Sequence, residues 1–223
     1  MPYRYGDLSF RVLVGDEKHP VPFSLHAGLA RAQSEFIDAA FRYGWKESEE
    51  KTIRLPDHEP EHFQLFLWFI YTRSIFSTKS GDKELDHDRE WARLVDSWLL
   101  GHYLQAADFK DAVIDAIIQK VLQSGDWVRQ RMYQAVYART DDRSPLRRLV
   151  VDIAVWRWNT KFLKAQRNHA DWSDFFFDLA IAQSKKSNHK QPLYEIDSCE
   201  YHEHRNNNTP CYKTKMRLNP ASK

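Results

Sequence analysis

Between Ile53 and Thr72 the chain passes from strict alternation to almost unbroken apolarity, in the stretch IRLPDHEPEHFQLFLWFIYT. Ile53 and Leu55 alternate with polar neighbours, which predicts a short half-buried strand. Asp57 and Pro60 break that pattern. Phe63, Phe66, Leu67 and Ile70 then recur at helical spacing, and Leu65, Trp68 and Phe69 widen the stripe until the helix is apolar nearly all round. Pro60 suits the first helical turn, where its missing N–H costs nothing. A helix with so little polar surface belongs in a core, between other elements.

The same reading extends along the chain. Phe10–Val14 and Val21–Leu25 are short apolar segments separated by the polar cluster Gly15-Asp16-Glu17-Lys18, and so predict a hairpin. Leu29, Phe36, Ile37, Ala40 and Phe41 predict two short helices that meet near Gln33-Ser34, with Ser34 capping the second. Gly44 to Lys51 reads as a charged loop, Ile75-Phe76 as a short edge strand. Ser77 to Asp88 reads as a solvated insertion whose Asp82, Glu84, Asp86 and Asp88 run on to Glu90.

Trp91, Leu94, Val95, Trp98 and Leu99 form one helical stripe ending near Leu104. A second helix runs from an Asp108 cap through Val113, Ile114, Ile117, Ile118, Val121 and Leu122 to Gly125. Val128, Met132 and Val136 mark a further helix. Ser144-Pro145 starts another, through Leu146, Leu149, Val150, Ile153 and Trp156. Asp171 opens a last one, with Phe175, Phe176, Leu179 and Ala182. The expected fold is α/β and mostly helical: a few short strands against a helical cluster over residues 1–125, a helical extension over 126–182, and an irregular, flexible tail over 183–223.

Several of these segments, taken in order, resemble the BTB/POZ family, particularly its fungal branch. They are Asp7–Gly15, Phe23–Leu29, Ser34–Phe36, Ile53–Asp57, Pro60–Phe63, Phe69–Thr72 and the block Gly101-x-Tyr103-Leu104-x-Ala106-x-Asp108-Phe109-Lys110. The resemblance covers a little over half the chain. It implies a protein-interaction domain with no chemistry of its own, and self-association through the first strand and the helix beginning near Ala27. Tyr3, Tyr5, Asp7, Leu8, His26 and Leu29 are the residues that such an interface would use. In the family a strand aspartate and a basic residue after the histidine form a charged pocket. Here Ala27 occupies that second position, and His26 reads as a hydrogen-bonded structural histidine. Cullin-binding members resemble one another in a hydrophobic-x-Glu triplet, of which Phe63-Gln64-Leu65 keeps only the apolar part. A cullin ligase is therefore a candidate partner with an incomplete motif.

Composition narrows the alternatives. With 42% hydrophobic and 14% aromatic residues, the 223-residue chain has ample material for a core. A net charge of +2 gives no strong preference for nucleic acid or membrane. The opening MPYRYGDLSF lacks the apolar run of a signal peptide, and no stretch approaches the ~20 apolar residues that span a bilayer. An intracellular protein, nuclear or cytoplasmic, is expected. Seven glycines supply no GxxxxGK[ST], GxGxxG or GxSxG, so phosphate cradles and nucleophile elbows lack their backbone. No enzyme is expected.

Two sets of metal-type residues stand out. His58-Glu59-Pro60-Glu61-His62 fits H-E-x-x-H, but that chemistry needs both histidines on one helical face, and Pro60 prevents this in a helix interior. Cys199-x-x-His202-x-His204, followed by Cys211, gathers both cysteines of the chain within one short span. Four N/S donors suit tetrahedral zinc, while the few apolar residues around them equally suit a disordered tail. A structural zinc is the one cofactor the sequence suggests. Two functions remain open: a dimeric scaffold or adaptor, for ubiquitin ligase or transcriptional complexes, and a zinc-binding regulator whose mildly basic tail contacts nucleic acid.

Overall fold

The computed structural model describes residues 8–42, 51–77, 87–124, 130–165, 173–185 and 190–217. Strands β1 (Ser9–Val14) and β2 (Val21–His26) form the expected antiparallel hairpin, with Ser9 opposite His26 and Val14 opposite Val21. Strand β3 (Thr52–Leu55) lies parallel to β1 on its other side, giving the order β2-β1-β3. Alternation decides which face is buried. Phe10, Val12 and Val14 of β1, Phe23 and Leu25 of β2, and Ile53 and Leu55 of β3 all turn inward. The register places Val12 between Phe23 and Ile53, so the three strands share one apolar face.

Helices α1 (Ala27–Arg31) and α2 (Glu35–Arg42) follow β2. Ser34 caps α2 as its sequence implies: its Oγ accepts from the Ile37 amide at 3.0 Å. The same hydroxyl donates to the Leu104 carbonyl at 2.6 Å, which ties the cap to a loop seventy residues away. Helix α3 (Pro60–Thr72) has Pro60 in its first turn and ends at Arg73, whose left-handed backbone (φ 59°) lets its amide reach the Phe69 carbonyl. Phe63, Leu65, Phe66, Phe69 and Ile70 are buried. Phe63 packs on Phe23 of the sheet at 5.0 Å between ring centroids, and Phe66 and Phe69 both meet Phe109 of the next layer at 5.2 and 5.5 Å.

That layer is the helix pair α4 (His87–Tyr103) and α5 (Ala107–Ser124). Gly101 sits where they cross: a Cβ there would lie 2.9 Å from Lys110 Cγ and from Phe109 Cδ1. The extension follows as α6 (Gln130–Arg139), α7 (Pro145–Arg157), α8 (Thr160–Ala165) and α9 (Ser173–Lys185). Tyr133 and Trp158 pack on Phe175 at 4.7 and 5.2 Å and form its aromatic centre.

Several expectations change. Ile75-Phe76 is not a strand; it follows α3 without sheet partners, and Phe76 rests edge-on against Trp68 at 6.1 Å. Asp108 lies in the first turn of α5 rather than at its cap. Helix α8 was not anticipated. Most consequentially, the segment expected to be a flexible tail is ordered over 190–217. It forms α10 (Leu193–Ile196), a 3-10 turn at Ser198–Tyr201, α11 (His204–Asn207) and α12 (Tyr212–Arg217), and it buries Tyr194, Tyr201, His202 and Tyr212. The acidic insertion at 78–86, the charged loop at 44–50, Gly125, Val128 and Asp171 lie outside the described residues. No described helix is long and apolar enough to cross a membrane.

Two outcomes follow from this packing. Ser34→Ala removes a cap and a buried tether together, and should lower the unfolding free energy by about 1–3 kcal/mol in chemical denaturation. Burial pushes His62 and His58 below their usual 6.5, although Asp96 and Asp57 pull the other way. Their neutral forms are favoured in the folded state, so the unfolded chain binds more protons in acid. Stability should therefore fall as pH drops through 6.5, and His62→Gln should flatten that part of a melting-temperature profile.

Candidate metal centre

The tail rests on α5, and the contacts that hold it are mostly polar. Helix α5 is apolar along most of its surface but carries Asp108, Asp111 and Asp115 at three- and four-residue spacing, which lines them on one face. The tail meets each of them. Asp111 Oδ1 accepts from the Glu203 amide at 2.7 Å. Asp115 Oδ2 accepts from Tyr212 Oη at 2.6 Å and lies 2.8 Å from Lys213 Nζ. Asp108 pairs with Lys215 at 2.7 Å, and Lys110 with Glu203 at 2.7 Å. On the α7 side, Tyr201 donates to Asp152. One aromatic contact joins the tail to the core helix, Tyr212 against Phe69 at 6.2 Å.

This docking brings Cys199, His202, His204 and Cys211 together, with one ligand atom of each lying within 4.8 Å of all the others. They come from the 3-10 turn, its C-terminal end, the start of α11 and the residue before α12, so three turns of chain converge on one point. The Cys199 and Cys211 sulfurs are 4.0 Å apart and both thiols are free. Cys211 Sγ lies 3.9 Å from His202 Nδ1. Donors around a tetrahedral zinc are separated by about 3.3–3.8 Å, given Zn–N near 2.0–2.1 Å and Zn–S near 2.3 Å. The four residues fit that ion with small adjustments.

Their surroundings fit it too. His202 is fully buried, and its other nitrogen, Nε2, lies 3.3 Å from Asp115 Oδ1. His204 Nε2 is buried with no hydrogen-bond partner. Burial alone would raise Asp115, but hydrogen bonds from His202, Lys213, Ser198 and Tyr212 outweigh it and hold the carboxyl well below the usual range. Asp111 has fewer such partners, and burial raises it to about 6. Burial and the adjacent Cys211 thiol push the Cys199 thiol up to about 12.

The other metal-type motif does not assemble. His58 precedes α3 and packs on Tyr103 at 4.6 Å, whereas His62 lies on α3 between Glu61 and Asp96, 3.9 Å from each. Of the interface candidates, Tyr3, Tyr5 and Asp7 lie outside the described residues. Leu8 is 44% exposed, His26 is exposed with Nδ1 2.8 Å from Tyr71 Oη, and Leu29 is half-buried against the core. Phe63 and Leu65, the apolar part of the cullin-type triplet, both face the interior. Asp111, Asp115, Tyr212 and Glu203 belong to no sequence motif, although the acidic row on an otherwise apolar helix is a readable signal.

The chain sets a small mixed sheet, with a hairpin strand at its edge, on a helical cluster. The sequence model of the BTB/POZ domain family matches residues 12–120, from the middle of β1 to near the end of α5. Residues 12–120 thus carry a BTB/POZ domain, and BTB/POZ domains are protein-interaction domains rather than enzymes. A comparison with curated proteins finds no match.

Tyr212→Phe removes the hydroxyl that donates to Asp115 while keeping the ring on Phe69. It should cost about 1–2 kcal/mol of stability and increase proteolytic cleavage within 190–217 before any within α3–α5.

Proposed function

We propose that this chain is an intracellular scaffold or adaptor that self-associates through its BTB/POZ domain and holds a second protein for a larger complex. The observation that carries this reading is the apolar surface left at the hairpin end of the domain. Leu8, beside the start of α1, is exposed, and its carbonyl accepts from the Ala27 amide at 2.9 Å. Tyr71 on α3 reaches His26 from the neighbouring side, and Trp68 and Phe76 extend the exposed apolar surface along α3. A helix apolar on nearly every face is costly to leave against water, and a second copy of the domain is the occupant that a BTB/POZ domain supports.

The client complex, a cullin ligase or a transcriptional assembly, is the finer part of the proposal. With Phe63 and Leu65 buried, a cullin would have to engage other residues of the domain. The reading in which a basic tail contacts nucleic acid has less support. Lys213 and Lys215 face Asp115 and Asp108, and Arg205 pairs with Glu200, so these tail cations are turned to carboxylates of the same chain.

Sedimentation at tens of micromolar should give a species of twice the 26.5 kDa chain mass. Leu8→Glu should shift it to the monomer without lowering the melting temperature, because that side chain lies outside the core. A 26.5 kDa species alone for the unaltered chain would count against self-association.

A further inference from the structure

We infer that Cys199, His202, His204 and Cys211 bind one zinc ion, which fastens residues 198–217 onto helix α5 of the BTB/POZ domain. Three independent features point there. First, four soft or borderline donors from separate turns converge within 4.8 Å. Packing alone gives no reason for four such side chains to share one point. Second, each histidine brings a buried nitrogen: His202, a fully buried residue, has its Nδ1 3.9 Å from Cys211 Sγ, and the half-buried His204 has a buried Nε2 with no hydrogen-bond partner. A buried polar atom without a partner is destabilising, and a metal bond removes that cost. Third, the second nitrogen of His202 lies 3.3 Å from Asp115. A carboxylate behind a ligating histidine fixes the ring's tautomer and orientation, which is the usual outer partner of zinc histidines.

The donor set selects the ion. Two thiolates and two imidazoles suit zinc, whereas calcium and magnesium take oxygen ligands. Two thiolates also neutralise a divalent cation, so the closed site adds no net charge to a partly buried position. On binding, each thiol releases its proton to solvent and each sulfur lone pair forms the bond to zinc; no oxidation is involved. The role is structural. All four positions are filled by the chain, and the segment around them has little apolar surface beyond Tyr201 and Tyr212, so ligation supplies folding free energy that packing cannot. Asp115 is a positioning residue that links the site to α5.

Elemental analysis of the intact chain, purified without chelator, should find one zinc per chain. Both thiols should resist alkylation until a chelator is added. Cys211→Ser should lose the metal and become readily cleaved within 190–217, while circular dichroism and protease resistance of α3–α5 persist. Asp115→Asn should retain zinc but yield it about 10–100-fold more readily to a competing chelator. Tyr212→Phe, which loosens the tail but leaves the Asp115–His202 contact, should shift that competition far less. A zinc-free monodisperse chain with both cysteines freely alkylated would overturn the inference. So would a Cys199–Cys211 disulfide seen as a mass two hydrogens lower, or equal effects of Asp115→Asn and Tyr212→Phe on chelator competition.

Discussion

The burial of helix α3 is the constraint on which the rest of the architecture depends. Its sequence leaves few sides that water would favour, so it has to be enclosed by different partners on different faces. Phe63 takes the sheet through Phe23, while Phe66 and Phe69 take α5 through Phe109. Phe69 also meets Tyr212 of the tail. Fully burying one such side chain is worth about 1.5–3 kcal/mol, and α3 buries five large apolar residues. Sheet, helix pair and tail are thereby referred to one helix. What α3 leaves outside, Trp68 and Tyr71, is the apolar surface beside the hairpin.

Where periodicity carried the information, the fold was legible from sequence. The hairpin, β3, α3 and the α4–α5 pair follow from alternation or helical spacing, and the cap at Ser34 from local chemistry. Pro60 was enough to separate the HExxH string from a metal site, because its position in the first turn leaves His58 off the helix. The pairing of β3 parallel to β1 was not legible, since the pattern specifies a buried face but not a neighbour. Ile75-Phe76 was misread for a related reason: two apolar residues fit an edge strand or a chain returning over an exposed tryptophan equally well.

The tail was misjudged because its hold on the domain is polar and distant. Its low apolar content is what a disordered segment looks like. The groups that order it, Asp108, Asp111 and Asp115, lie about ninety residues or more earlier, on a helix whose dominant sequence pattern is its apolar stripe. The four metal-type residues were legible by type and spacing; their convergence required the docking that α5 provides. The C-terminal segment thus behaves as part of the BTB/POZ domain's outer layer rather than as an appendage, although the family match stops at residue 120.

Hydrogen exchange of the intact chain, followed by mass spectrometry with and without a zinc chelator, tests this account most directly. Amides of 199–215 should be protected in the metal-loaded protein and should lose that protection when zinc is removed. Those of α3, held by its own packing, should stay unchanged. Fast exchange across 199–215 in protein that carries its full zinc, or identical protection before and after chelation, would contradict it.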